Sequence, residues 1–278
     1  MDNSEEVRKR ITVIVATHKA YRMPEDPMYL PVHVGAEGKV DSEGKPLDLG
    51  FVKDNTGDNI SILNPSFCEL TGLYWAWKNL DSDFLGLVHY RRHFGRWAKG
   101  DPFKGIITYR DIEPYLALEK VFVPRKRRYY IESLYTHYKH THYIEQLDTA
   151  RTIIGEKYPE YIPSFDRAVK RTSGYMFNMM IMRKDVLNEY CSWLFDILFE
   201  LGNRTDATGY SAFQNRFYGR ISEILFNVWL DYELSSGRLD KYDIEKLPFI
   251  HMEKVNWFKK GSAFLAAKFT NKKYEGSF

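Results

Sequence analysis

Phe84 to Phe94, FLGLVHYRRHF, constrains the fold more than any other stretch of the chain. An apolar run of strand length stops abruptly at His89, Tyr90, Arg91, Arg92 and His93. Side chains of that kind are costly at the end of an interior strand unless something uses them. In open α/β sheets that end is where ligands bind. Two adjacent arginines ask for an anion, and their forked donors match phosphate best. A phosphorylated ligand is therefore the first expectation.

Ile11 to Ala16 (ITVIVA) is a second run of this type, read as the first, fully buried strand of a parallel sheet. It breaks at Thr17, His18 and Lys19, again polar groups at a strand's carboxyl end. Tyr21 to Asn59 is rich in Gly, Pro, Asp and Asn without a sustained period, a length of irregular chain more often functional than idle. Asn64-Pro65-Ser66 opens a helix, and Leu70, Leu73, Tyr74 and Trp77 recur at helical spacing through Asn79. With the strand from Phe84 this is one β-loop-α-β unit, whose natural outcome is a parallel sheet.

Further along, Thr108 to Leu118 reads as a short helix, and Val121 to Val123 as a short strand stopped by Pro124. Ile131 to His142 and Tyr143 to Lys157 read as helices. Ser173 to Met182 is expected as a buried strand with Asn178 in its centre. Asp185 to Leu201 is an amphipathic helix with Gly202 in the stopping position. Ser211 to Asp231 holds another, with Arg220, Glu223 and Asn227 on one face; Tyr242 to His251 returns to the sheet as strand or loop. The expectation is an α/β fold with a mostly parallel central sheet and helical additions, in one domain over residues 1–278.

Composition narrows the function classes. Hydrophobic residues at 44% are enough for a real core. A net charge of only +3 makes any nucleic-acid or membrane reading rest on local patches. The 20 tyrosines and 6 tryptophans suit stacking on sugars or bases. Cys68 and Cys191 lie far apart in apolar helix-like segments and read as buried free thiols of a reducing compartment. The polar amino terminus lacks the apolar core of a signal peptide, and no apolar run reaches the roughly 18 residues of a membrane helix. A soluble cytoplasmic protein is expected.

Several blocks carry a resemblance: Asp54-Asn55-Thr56-Gly57-Asp58-Asn59-Ile60-Ser61, Cys68 to Asn79 (CELTGLYWAWKN), Gly86 to Arg92 (GLVHYRR) and Pro124 to Arg127. It continues at Tyr158 to Tyr161, Asn178 to Met182, Trp193 to Phe195 and Arg220 to Glu223, covering nearly the whole chain. The chain resembles a bacterial glycosyltransferase family encoded with capsular and exopolysaccharide synthesis genes and long catalogued as a domain of unknown function. The resemblance implies a GT-A-like, Rossmann-type α/β/α sandwich. It also implies sugar transfer from a nucleotide donor, a UDP-sugar, to a growing, lipid-linked surface glycan, with galactose and galactofuranose as candidate sugars.

Most enzymes of that fold hold Mn or Mg on the donor diphosphate with an Asp-x-Asp at a strand end. Here the comparable strand ends in His89-Tyr90-Arg91-Arg92, and Asp81-Ser82-Asp83 precedes the strand instead of following it. A guanidinium pair neutralises a departing diphosphate as a metal does, so Arg91 and Arg92 are candidates for that task. The opposing reading pairs them with Asp81, Asp83 or an internal carboxylate. Thr17, His18 and Lys19 sit where a first strand delivers base and ribose. Asp54, Asn55 and Asn59 offer carboxylates and amides for hydroxyls, or are only a turn. Asn178, if buried, needs a backbone or substrate partner. Glu223 is the candidate general base, raised by apolar neighbours, against the alternative of an ion pair with Arg220. His89 and Tyr90 join the donor side, and His251 meets the diphosphate or is an ordinary structural histidine.

Pro124 to Tyr130 is the strongest basic cluster: a solvated face, an anion site, or a patch that holds the chain loosely at the inner membrane face. Aromatics beside it would also suit RNA, but no RNA-module signature is present. His137, His140 and His142 are expected on a surface helix, with zinc as the minor alternative. Two other function classes stay open: a non-catalytic nucleotide-sugar or glycan-binding protein, and a nucleotide-sugar hydrolase.

Overall fold

The computed structural model describes residues 8–118 and 120–253. The described chain opens with β1 (Ile11–Thr17), β2 (Tyr29–His33) and β3 (Val52–Lys53). Helices α1 (Asn64–Phe67) and α2 (Leu70–Asn79) lead into β4 (Phe84–His89), which turns back as β5 (Arg92–Phe94). Next come α3 (Tyr109–Ile112), β6 (Val121–Pro124), β7 (Arg127–Arg128), α4 (Leu134–Thr141), α5 (Ile144–Lys157) and α6 (Ile162–Lys170). β8 (Ser173–Gly174), β9 (Met180–Arg183), α7 (Lys184–Arg204), α8 (Phe217–Ser235), β10 (Ile244–Leu247) and β11 (Phe249–His251) follow.

The main sheet has the order β10-β6-β9-β4-β1-β2-β3. β1 runs parallel to β2 and β4, β2 to β3, and β6 to β10; β9 is antiparallel between β4 and β6. This is the mostly parallel α/β architecture expected. Successive side chains of a strand point to opposite faces, and the two cores follow that period. Ile11, Val13 and Val15 of β1 join Val88, Phe122 and Ile181 on one face, which residues around Tyr109, Ile112 and Leu116 cover. Ile14 and Ala16 join Leu85, Leu87, Met180 and Met182 on the other, under the long helices α2, α5, α7 and α8. Gly86 is required where β4 meets β9: a Cβ there would lie 2.7 Å from both the Ile181 side chain and the Met180 carbonyl oxygen.

Four local expectations need correction. The helix expected from Asn64 to Asn79 breaks at Cys68, whose φ of 53° ends α1 and restarts the chain as α2. Ser173 to Met182 is not one strand: Phe177 and Asn178 both adopt left-handed backbone (φ 77° and 52°), so only Met180–Arg183 pairs with the sheet. Gly202 lies inside α7, which continues to Arg204, because Leu201 and its neighbours remain packed in the core. The irregular stretch from Tyr21 to Asn59 contributes β2 and β3 to the sheet.

Candidate functional site

The register Ala16↔His89 brings the ends of β1 and β4 side by side. Thr17 is fully buried, and its hydroxyl donates to the Lys19 carbonyl (2.7 Å), shaping the turn that projects His18 and Lys19 outward. Tyr90 is the hub: His18 and Tyr21 meet its ring edge-on at 5.4 and 5.0 Å, and the Lys19 and Arg91 cations lie 5.2 Å from its centre. At the mouth, Arg91 and Lys19 both approach Glu253, at 3.6 and 4.0 Å. Asp81 and Asp83 instead hold Arg10, at the opposite end of the sheet. His18 is held below its ordinary pKa by burial and by Arg91, Lys19 and Arg216.

Deeper, the left-handed turn at Phe177 and Asn178 is clamped from several directions. The Phe177 N–H donates to Glu223 Oε1 (2.9 Å), and the Phe177 carbonyl accepts from His89 Nε2 (2.8 Å). That contact assigns the proton of His89 to Nε2. Asn178 donates to Glu69 Oε1 (2.7 Å) and the Gly219 carbonyl (2.9 Å), and accepts from the Ser222 hydroxyl (2.8 Å). Strained backbone held by so many partners is characteristic of functional sites. The Arg92 guanidinium stacks 4.3 Å over the Phe177 ring, and its buried Nε has no hydrogen-bond partner among the described residues.

Glu223 stands at the centre of this arrangement. It is half-buried, and desolvation, reinforced by Glu69, pushes its carboxyl up to about 7 against the pull of Arg92 and Arg127. The ion pair with Arg220 does not form: Arg220 donates to His142 Nδ1 and to the Phe213 carbonyl, both at 3.2 Å. Burial lowers both Arg92 and Arg220, with Glu223 drawing each back up. Arg216 completes the cationic wall, its Nε donating to Cys68 Sγ (3.0 Å), whose thiol burial raises to about 11. The site is a carboxylate pair ringed by guanidinium groups at the carboxyl ends of β1 and β4. It can accept a proton near neutral pH and hold an anion.

Residues 12–234 match the family model described as a domain of unknown function, DUF4422. The chain belongs to the DUF4422 family. It is also similar in structure to the apo form of the WbbM bifunctional glycosyltransferase, with a TM-score of 0.76, 27% sequence identity and 88% of this chain covered. The chain spans 46% of the length of that protein. No curated protein sequence matches it.

Within this DUF4422 chain, the remaining candidates separate sharply. Asp54 is fully buried and both its oxygens are engaged: Gly35 N–H (2.8 Å), Ala36 N–H (3.1 Å), the Ser61 hydroxyl (2.5 Å) and the Thr71 hydroxyl (2.7 Å) all donate to it. Its expected grip on a ligand hydroxyl is therefore replaced by a structural task. Asn55 donates to Glu37, and Asn59 closes its own loop through Gly57 and Ser61. Asn178 is likewise consumed by protein partners. His251, half-buried on β11, packs against Phe177 and Phe249 and so borders the site. His137 and His140 are not on an open surface, since their Nδ1 atoms meet the buried Glu132 at 2.8 and 2.6 Å. Among the described residues no group of three or more His, Cys, Asp or Glu side chains is arranged to hold a metal ion.

Glu69, Arg216 and Phe177 are the site residues that sequence reasoning missed. Nothing in the sequence marks the left-handed turn at Phe177 or the break at Cys68 that takes Glu69 out of the helical pattern. Two concavities among the described residues, of about 510 and 270 Å³, lie elsewhere, one along α6 and α8 beside Arg167 and Tyr232, the other beneath Arg22 and Phe103.

Proposed function

We propose that this DUF4422 chain is a glycosyltransferase that moves a sugar from a UDP-sugar to a growing, lipid-linked surface glycan, with galactose or galactofuranose as the candidate sugar. The observation that carries the reading is Glu223: a carboxyl raised to about 7, at the ligand end of a parallel sheet, with Arg92, Arg127 and Arg220 in electrostatic reach.

In the proposed step the acceptor hydroxyl attacks the anomeric carbon from the face opposite the nucleotide. Glu223 takes the hydroxyl proton as the new C–O bond forms. The bond from the anomeric carbon to the diphosphate oxygen breaks, and its electron pair leaves with UDP. Arg92, with Arg216 and Arg91 nearer the mouth, neutralises the charge that builds on that oxygen. In this reading His18, Tyr21 and Lys19 meet base and ribose. The left-handed turn at Phe177 fixes Arg92 and Glu223 relative to each other, through the ring of one and the N–H of the same residue.

Thermal shift with UDP, GDP, CDP and ADP, in EDTA and in manganese, tests the donor. Selective stabilisation by UDP in EDTA is expected if Arg91, Arg92 and Arg216 hold the diphosphate as proposed. Stabilisation by UDP only with manganese would transfer the diphosphate to metal ligands not identified above. Turnover of UDP-sugars with and without acceptor then separates transfer from hydrolysis, and UDP-sugar binding with neither would leave a non-catalytic binding protein.

A further inference from the structure

The tip that joins β7 to α4 has a property that the chemistry of the candidate site does not use. Tyr130 is 80% exposed and adopts a left-handed φ of 58°; Ile131, beside it, is 60% exposed. A non-glycine residue in that backbone region is strained, and strain at a solvent-facing tip is not repaid by packing within the chain. The base of the tip is rigid. Tyr129 is buried and donates its N–H to the Thr172 carbonyl (2.8 Å), and the Ile131 N–H closes a tight turn onto the Tyr129 carbonyl (2.7 Å). Glu132 is anchored by His137 and His140, and β7 pairs with β8. Two large side chains, one aromatic with a polar tip and one purely aliphatic, are thus presented outward by a fixed support.

The surround of this tip is cationic. Arg125, Lys126 and Arg128 are exposed and Arg127 is half-buried over the Tyr129 ring. Among the described residues, none of the four stands in an ion pair. Lys246 lies within electrostatic reach of Lys126 and extends the positive field, whereas Arg171, also within reach, is ion-paired with Asp231. With a net charge of only +3 over the whole chain, this is a local concentration and not a general excess.

We propose that the Tyr130–Ile131 tip and its collar of Arg125, Lys126 and Arg128 form a docking surface for an anionic lipid bilayer. The ring of Tyr130 settles at the headgroup level, the Ile131 side chain reaches the acyl boundary, and the collar meets the anionic headgroups. RNA would use the arginines but has no use for an exposed isoleucine. Arg127 is also within electrostatic reach of Glu223 and Arg92, so the collar adjoins the candidate site. The docking does not rest on the transferase reading; it only says where such an enzyme would meet a lipid-linked acceptor.

The test is flotation of the full chain with phosphatidylcholine vesicles, with and without phosphatidylglycerol, and no nucleotide present. Binding to the anionic vesicles alone is expected, weakening as salt rises. Arg125→Gln with Arg128→Gln should lower the partition coefficient roughly thirtyfold, at about fivefold per charge. Ile131→Ser should lower it several-fold without changing its salt dependence, and all three side chains are exposed, so the melting temperature should hold. Equal binding to neutral vesicles, unchanged binding by both variants, or capture of single-stranded RNA with the vesicles ignored would each overturn the proposal. Turnover with a water-soluble acceptor is measured separately, so loss of docking and loss of the transferase reading are distinguishable.

Discussion

Asp54 and Glu223 are both carboxylates taken largely out of water near the ligand end of the same sheet, and they do opposite things. Asp54 receives four donors, two from the backbone turn after β2 and two from the hydroxyls of Ser61 and Thr71. Glu223 receives the Phe177 N–H from the backbone, faces Glu69, and has its guanidinium neighbours in electrostatic reach without an ion pair among the described residues. Burial acts on both, and more completely on Asp54; the supply of donors decides the outcome. A carboxylate whose lone pairs are all used becomes a fastener. One left short of donors beside a like charge rises toward neutrality and is ready to exchange a proton.

Breaking the fastener should have the largest effect on folding. Asp54→Ala strands four buried donors, each worth about 1–3 kcal/mol when left unpaired, so denaturant unfolding should show a loss of at least about 4 kcal/mol. A loss below about 1 kcal/mol would mean that the loop relaxes and the contrast fails.

Breaking the reactive partner should do the reverse. Glu223→Gln keeps an acceptor for the Phe177 N–H, so the fold should survive while turnover of the UDP-sugar drops about 10²- to 10⁴-fold. Its stability effect depends on pH in a defined direction. The folded carboxyl titrates near 7 and the unfolded one at 4.5, so the folded state binds the extra proton between those values. Stability of the parent protein therefore falls as pH rises from 4.5 to about 7, by on the order of 3 kcal/mol at most given the partial exposure of the group. The variant escapes that loss, and its melting temperature should exceed the parent's increasingly up to neutral pH, then by a constant amount. His93 gives an internal control, since burial lowers it from 6.5 to about 4. The destabilisation it brings as pH falls through that window should be shared by parent and variant.

Glu223 was named as the candidate base from the sequence, but the fastening role of Asp54 could not be read along the chain. The runs ITVIVA and FLGLVH specify two strands, their direction and their ends, so the β1–β4 core and the positions of His18, His89, Tyr90, Arg91 and Arg92 were legible. For Asp54 and Asn178 the choice between ligand and protein partners stayed open in the sequence for one reason: their partners (Gly35 and Thr71 for one, Glu69 and Ser222 for the other) are remote in sequence, and satisfaction is a three-dimensional property. The apolar letters around Asn178 read as strand because period and hydrophobicity carry no sign of a left-handed turn. Glu69 and Arg216 were invisible because polar residues beside helical segments ordinarily face solvent.

The two arginines after β4 carry the same contrast to a smaller scale. Arg92 lies against Phe177 with a buried, unpartnered Nε, whereas the Arg91 side chain is 47% exposed and reaches Glu253 at 3.6 Å. Arg92→Lys replaces the stacked fork by a point charge that cannot reproduce it, and turnover should fall roughly a hundredfold. Arg91→Ala removes a solvent-screened cation already shared with a carboxylate. It should cost only about two- to fivefold in kcat/KM, and that factor should shrink further as salt is raised. Equal losses from the two substitutions, insensitive to salt, would mean that Arg91 closes onto the ligand as deeply as Arg92, and that the mouth at Glu253 opens when the donor binds.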